Sequence, residues 1–234
     1  MKSLGLVVAV LLLLCLPTTM VSAAKPRASI TLAQVLSGNS IMREGDSGLG
    51  VLDLQQRLNN IGISTKTTGI YDEYTSASVS HFQWKFFLYE TGIINKNTAK
   101  ALLRISSKGL HVPKNCFVAT KIVCVDKTQK ILRLYQKGKL LYTVDARFGG
   151  PGNETNEGLF RITRKVKNDY SYLYHTPMPY SSYFSGGQAI HYSMFFNAVG
   201  YNGASHGCIN IGKLSQAKFI YSFLRIGTKV QVYH

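Results

Sequence analysis

Residues 123–149 read V-C-V-D-K-T-Q-K-I-L-R-L-Y-Q-K-G-K-L-L-Y-T-V-D-A-R-F-G. Apolar and polar side chains alternate through the stretch, interrupted by one turn pair, Lys137-Gly138. A period of two sorts side chains onto the two faces of a pleated strand, and a glycine turn between two such runs marks a hairpin. Further strands are expected around Leu159 to Val166 and at the C-terminus, where Val230 and Val232 alternate with Lys229 and Gln231. Between them Leu214 to Leu224 reads as an amphipathic helix with Ala217, Ile220, Tyr221 and Leu224 on one face. The residues predict a mainly antiparallel β domain carrying one late helix.

Upstream the period changes. Val51, Leu54 and Leu58 repeat at helical spacing, as do Val79, Phe82 and Phe86, and a third short helix fits from about Asn97 to Arg104. The segment also echoes itself. Gly69-Ile70-Tyr71-Asp72 followed by Thr75 returns as Gly92-Ile93-Ile94-Asn95 followed by Thr98. Each copy offers a glycine turn and then an Asp or Asn that can cap a helix. The predicted organisation is a small all-α three-helix bundle over 41–105, a linker over 106–114, and the β domain over 115–234.

The chain opens M-K-S, continues with an apolar run of about 14 residues, and reaches small residues at Val21-Ser22-Ala23-Ala24. A positive start, a short apolar core and small residues before a cut form a secretory leader. The run is shorter than the roughly 20 residues of a membrane span, although a retained anchor is the alternative. Residues 1–23 are read as a removed signal, cut at Ala23 or Ala24, and the protein as secreted and extracytoplasmic. The formal charge is +16, concentrated in 106–234, where 17 basic residues face 5 acidic ones. Such a field favours anionic surroundings. For an exported chain these are acidic lipid or anionic wall polymers, and nucleic acid is not expected.

Outside the leader there are three cysteines. Cys116 and Cys124, in C-F-V-A-T-K-I-V-C, read as two short strands around a turn near Ala119 to Lys121, which would set the pair at disulfide distance across a hairpin; three buried thiols is the alternative. Bridging them leaves Cys208 unpaired, in Y-N-G-A-S-H-G-C-I-N-I-G. A leftover thiol in an oxidising compartment points to intermolecular pairing or to reactivity. To act as a nucleophile it needs a base and an oxyanion site. His206 lies two residues before it, and His191 seventeen before it in G-G-Q-A-I-H-Y-S. Gly207 permits close backbone approach. An inert buried cysteine, a zinc site of His191, His206 and Cys208, and a chance H-G-C remain open on residue types alone.

Larger patterns narrow these choices. R-E-G-D-S-G-L-G-V-L-D-L-Q-Q-R-L-N-N-I-G, T-G-I-Y-D-E-Y-T-S-A-S-V-S-H-F-Q and T-G-I-I-N-K-N-T-A-K-A-L-L resemble the three-helix peptidoglycan-binding domain found beside cell-wall enzymes. His191-Tyr192-Ser193, with 13 residues between His191 and Ser205, then Ser205-His206-Gly207-Cys208-Ile209-Asn210, resembles the L,D-transpeptidase (YkuD-type) catalytic domain. Arg147-Phe148-Gly149, Met178-Pro179-Tyr180 and Phe184 to Tyr192 support the resemblance, most closely to actinobacterial members.

The resemblance implies a catalytic β-sandwich with a cleft beneath a flap. It implies Cys208 as nucleophile and His191 as general base, held by the backbone carbonyl of Tyr192. Backbone N–H groups of His206, Gly207 and Cys208 would form the oxyanion hole, with Ser205 and Asn210 supporting the loop or substrate. Tyr180, Tyr183 and Phe184 are candidate cleft walls. The substrate would be a peptidoglycan stem tetrapeptide. Cys208 would attack at the diamino acid and expel the terminal D-alanine, and an amine of a neighbouring stem would take the acyl group. No metal or organic cofactor is expected, and the partners are peptidoglycan stem peptides and glycan, with a monomer as the acting unit. Water as acceptor would make the same site an L,D-carboxypeptidase. A non-catalytic wall-binding protein is the reading from a different class.

Overall fold

The structure is a computed structural model and describes residues 29–108 and 111–234. The leader read at 1–23 lies outside the described residues, as do positions 109 and 110 of the expected linker. No helix among the described residues is long and apolar enough to cross a membrane.

Four helices form the first part: α1 (Leu32–Leu36), α2 (Leu49–Asn60), α3 (Glu73–Lys85) and α4 (Lys96–Lys108). The sequence echo marks two helix starts. Asp72 accepts from the N–H of Thr75 at 2.8 Å, and Asn95 from that of Thr98 at 2.9 Å, satisfying donors that a first turn leaves unpaired. The same repeat buries two glutamines. Gln55 accepts from Gly69 N–H and donates to the Ile70 carbonyl and Thr75 hydroxyl. Gln83 does the same one repeat later with Gly92, Ile93 and Thr98. Both amides are hydrogen-bonded through oxygen and nitrogen, so their burial is tolerated.

Val51, Leu54, Leu58, Val79, Phe82 and Leu102 fill the helical core as their spacing requires. Leu32 and Val35 of α1 join them, so the bundle has a fourth, short helix ahead of residue 41, too brief for its period to show. Helix α4 continues through the first three positions of the expected linker because Ile105 is buried and Ser106 receives Arg57.

A short helix, α5 (Asn115–Val118), leads into the β part. Strands β1 (Lys121–Asp126), β2 (Ile131–Gln136), β3 (Lys139–Asp145) and β4 (Gly158–Arg161) are followed by β5 (Arg164–Val166), β6 (Tyr170–Ser171), β7 (Thr176–Pro177), β8 (Ser181–Ser185) and β9 (Gln188–Tyr192). Helix α6 (Met194–Val199), β10 (Ile209–Ile211), α7 (Leu214–Phe223) and β11 (Lys229–Tyr233) complete the chain. One sheet runs β3-β2-β1-β11-β4 and the other β10-β9-β8-β5, with β6 and β7 as a separate hairpin. Pairing is antiparallel except for β1 with β11 and β9 with β10. Val123, Val125, Leu132, Leu134, Ile190, Ile209, Val230 and Val232 meet in one core with Ala217 and Ile220 of α7. The hairpin read from residues 123–149 is β2–β3, and the late helix is α7. The stretch 159–166 divides between the sheets, because the chain turns at Ile162 and Thr163 after pairing β4 with β11.

Cys116 and Cys124 are bonded, with Cα atoms 6.1 Å apart. The bridge does not cross a hairpin: Cys116 sits on α5 and Cys124 on β1. Closing so short a loop contributes about 2–3 kcal/mol in the chain-entropy picture. The bridge packs with Ile122, Tyr135 and Tyr233. Both faces of β1 are thereby buried.

The helical part docks onto the β part through helix ends. Arg133 of β2 donates to the carbonyl of Asn60 at 2.8 Å, and Lys130 to that of Lys85 at 2.7 Å. These are the last residues of α2 and α3, where unpaired carbonyls and the helix dipole favour a cation. Lys85 itself is fully buried and ion-pairs with Asp145, to which His81 also bonds at 2.9 Å. Trp84 packs edge-on against Tyr201, ring centroids 5.1 Å apart.

Candidate active site

Parallel pairing of β9 with β10 brings the distant parts of the motif together. Its register sets Asn210 beside His191 and Ile209 beside Ile190, so Cys208, one residue earlier, falls beside Ala189. The segment Arg147 to Gly150 holds the loop before Cys208 from the other side. Arg147 and Asn210 exchange backbone hydrogen bonds of 3.1 and 2.8 Å, Ser205 N–H donates to Phe148, and Gly150 N–H donates to Ser205. The Ser205 hydroxyl closes the loop on the Cys208 carbonyl at 2.6 Å. Gly207 has φ +100°, and a Cβ there would strike the Gln188 side chain, which accounts for glycine between histidine and cysteine.

His191 is buried, with its Nδ1 2.6 Å from the Tyr192 carbonyl and its Nε2 3.0 Å from the Asn210 amide nitrogen. The orientation of that amide follows from Arg147, whose guanidinium donates to Asn210 Oδ1 at 3.1 Å. The oxygen is thus engaged, and the NH2 donates to His191. Nε2 is then an acceptor, and the ring proton sits on Nδ1, facing Tyr192. In the sequence Arg147 stands out only as part of R-F-G; its buried place behind Asn210 appears only in three dimensions.

Burial lowers the His191 pKa to about 4, with the Tyr192 bond opposing and the Arg147 charge assisting. Burial also raises the Cys208 thiol, partly offset by the Ala189 N–H. The pair therefore rests as neutral thiol and neutral imidazole near pH 7. A stability effect follows. As pH falls below the ordinary histidine value of about 6.5 the unfolded chain takes up a proton that the folded one refuses until about 4. Stability is full above that window and decreases across it by about 3 kcal/mol. Thermal unfolding between pH 7 and 4 should show this loss, and His191→Gln should flatten the slope; an equal slope in the variant would refute it.

Cys208 lies where two cavities meet. One, of about 330 Å³, is lined by His191, Asn210, Ser205, Phe195 and Val199; the other, of about 520 Å³, by Tyr183, Gln188, Asn156 and Glu154. Tyr174, Met178, His206 and Cys208 border both. The β6–β7 hairpin overhangs this junction, and Tyr174 from it stacks on the His206 ring with centroids 4.0 Å apart. Tyr183 is anchored through its hydroxyl to Asp169 at 2.6 Å. Tyr180 instead packs on Tyr221 of α7, and Phe184 is buried in the sandwich core against Phe160. Those two correct the expected cleft wall: on β8 Phe184 points to the inner face, and Tyr180 precedes the strand. Tyr174 and Met178 replace them, legible in advance only as an aromatic cluster before M-P-Y. Among the described residues no group of three or more His, Cys, Asp or Glu is placed to hold a metal ion. Both ring nitrogens of His191 already have protein partners.

A thiol, an imidazole and a carboxamide gathered at a pocket on a β-sandwich have the layout of a cysteine-type acyl-transfer domain. Comparison with known proteins specifies it. Residues 120–232 match the family model of the L,D-transpeptidase catalytic domain (YkuD), and residues 47–102 match that of a peptidoglycan binding domain. A crystal structure of an L,D-transpeptidase from Stackebrandtia nassauensis is similar at 26% identity and TM-score 0.56, covering 83% of this chain and 97% of that one. An L,D-transpeptidase from Xylanimonas cellulosilytica is similar at 26% identity and TM-score 0.50, covering 82% and 96%. No curated protein matches the sequence. The chain carries a YkuD-type L,D-transpeptidase catalytic domain behind a peptidoglycan binding domain, and is an L,D-transpeptidase that acts on peptidoglycan. The expected two-part fold and family are borne out.

Proposed function

We propose that the protein joins peptidoglycan stem peptides outside the cell by acyl transfer through Cys208. The observation that carries this reading is the position of Cys208 at the junction of two cavities, one of which it shares with His191, whose Nε2 carries no proton and accepts from the Asn210 amide. One cavity suits an acyl donor and the other an acceptor.

In the first step the Asn210 amide releases His191 Nε2, which takes the thiol proton as sulfur attacks the carbonyl of the diamino acid. Backbone N–H groups of His206, Gly207 and Cys208 receive the developing oxyanion. The C–N bond to the terminal D-alanine breaks, and its amine leaves with the proton from His191. In the second step a side-chain amine of a neighbouring stem attacks the thioester, His191 removes its proton, and the thiolate recovers one. The Tyr192 carbonyl stabilises the imidazolium in both steps, and Asn210 keeps the ring in register. Because thiol and imidazole rest neutral, the ion pair forms only as reaction proceeds.

Secretion by the leader at 1–23 would deliver the protein to this substrate, and the positive field of 106–234 would hold it near anionic wall polymers. Purified protein incubated with disaccharide-tetrapeptide muropeptides should yield a cross-linked dimer that lacks one D-alanine, detected by mass spectrometry. Tripeptide formed without dimer would make the protein an L,D-carboxypeptidase. Neither product would leave it a wall-binding protein.

A further inference from the structure

A further cavity of about 790 Å³ does not include Cys208. It lies between the two parts of the molecule. The helical part supplies Ser64, Tyr74 and Trp84, and the catalytic part Asn197, Lys213 and Gln216. We propose that this cleft is a composite binding site for the N-acetylated amino-sugar strand of peptidoglycan. The proposal rests on the acyl-transfer reading above only for the side of α6 on which the stem peptide reacts.

Three observations support a saccharide. First, the volume falls within the roughly 300–1,000 Å³ of ligand sites. Second, the lining chemistry is that of sugar recognition. Tyr74 is 57% exposed and Trp84 partly so, offering aromatic surface to the apolar C–H faces of pyranose rings. Hydroxyl and amide side chains, Ser64, Asn197 and Gln216, stand around them with donors and acceptors for hydroxyl and acetamido groups. Third, the helical wall belongs to the segment matched as a peptidoglycan binding domain.

Helix α6 links this cleft to the chemistry. Its Phe196 and Asn197 line the cleft, whereas Phe195 and Val199 line the active-site cavity. The two sites therefore border the same helix. A strand seated in the cleft would lie on the other side of α6 from the cavity that holds Cys208. The catalytic part supplies one wall, so the helical part is more than a tether.

Trp84 is the sole tryptophan of the chain and reports on the cleft directly. Full-length protein should be titrated with tetra-N-acetylchitotetraose, followed by Trp84 emission and by calorimetry. Saturable binding is expected, weakened about tenfold or more by Tyr74→Ala on one wall and by Gln216→Ala on the other, with melting temperatures unchanged. Absence of binding in the unsubstituted protein by both methods would overturn the proposal. So would binding that Gln216→Ala and Asn197→Ala leave intact, since the helical part alone would then hold the sugar. Uptake of a polyglycerol phosphate but not of the oligosaccharide would overturn it in favour of a polyanion. Acylation of Cys208 by a carbapenem is read separately. Its failure beside a normal titration removes the acyl-transfer reading and leaves the cleft standing, while a flat titration beside normal acylation removes the cleft alone.

Discussion

Cys208→Ala should abolish acylation altogether: a carbapenem should add once to the unsubstituted protein, at Cys208, and not at all to the variant. Intact-mass measurement followed by peptide mapping checks this, and an adduct persisting in the alanine variant refutes the assignment of the nucleophile. His191→Gln should keep the fold yet slow acylation by about 10² to 10⁴, the usual worth of a positioned general base. His206→Gln should slow it far less, because the ring of His206 stacks on Tyr174 and only its backbone N–H is assigned to the oxyanion. Equal losses at the two histidines would reopen which ring is the base. Asn210 offers a finer control. Its replacement by Asp would present an acceptor to Nε2 and draw the ring proton there, so acylation should fall even though the shape is kept.

The second large effect is expected far from the thiol. Asp145→Asn should cost about 3–5 kcal/mol of stability, because it leaves the fully buried Lys85 without its counter-charge. Burial alone would raise the Asp145 carboxyl, but the Lys85 ammonium and His81 hold it well below the usual carboxylate range. Its contribution is therefore complete above about pH 4 and decreases as pH falls further. Burial likewise lowers the Lys85 ammonium, against the pull of Asp145. Urea unfolding at neutral pH measures the cost, and a change below about 1 kcal/mol would show the pair to be no more than a surface contact. Replacing both residues, as Lys85→Met with Asp145→Asn, should recover much of the loss, since breaking such a pair costs more than removing it. Asp145 ends β3 two residues before Arg147. Loosening the docked helices there should also disturb the Arg147–Asn210–His191 chain, visible as slower acylation in the single variant and recovery in the double.

The sequence by itself determined what depends on neighbours along the chain. Alternation through 123–149 gave β1 to β3 and their turn, helical spacing gave α2, α3 and α7, and the repeated Gly-Ile-x-Asp/Asn pattern marked two helix starts. These are local properties, because a strand or helix face is set by residues two to four positions apart. The motif at 191–210 likewise disclosed a thiol with a spaced histidine, since its residue types and gap are themselves the signal. Tertiary structure decided what depends on segments remote in sequence. The parallel register of β9 and β10 set Asn210 against His191, and Arg147, more than sixty residues away, fixed the amide that fixes the imidazole tautomer. Packing put Phe184 in the core and Tyr174 over His206, and gave Cys124 a helical partner in place of a hairpin. It also docked α2 and α3 onto β2 and β3 and opened the cleft between them. Burial and register arise only when distant surfaces exclude water from one another, and no window along the chain contains both surfaces.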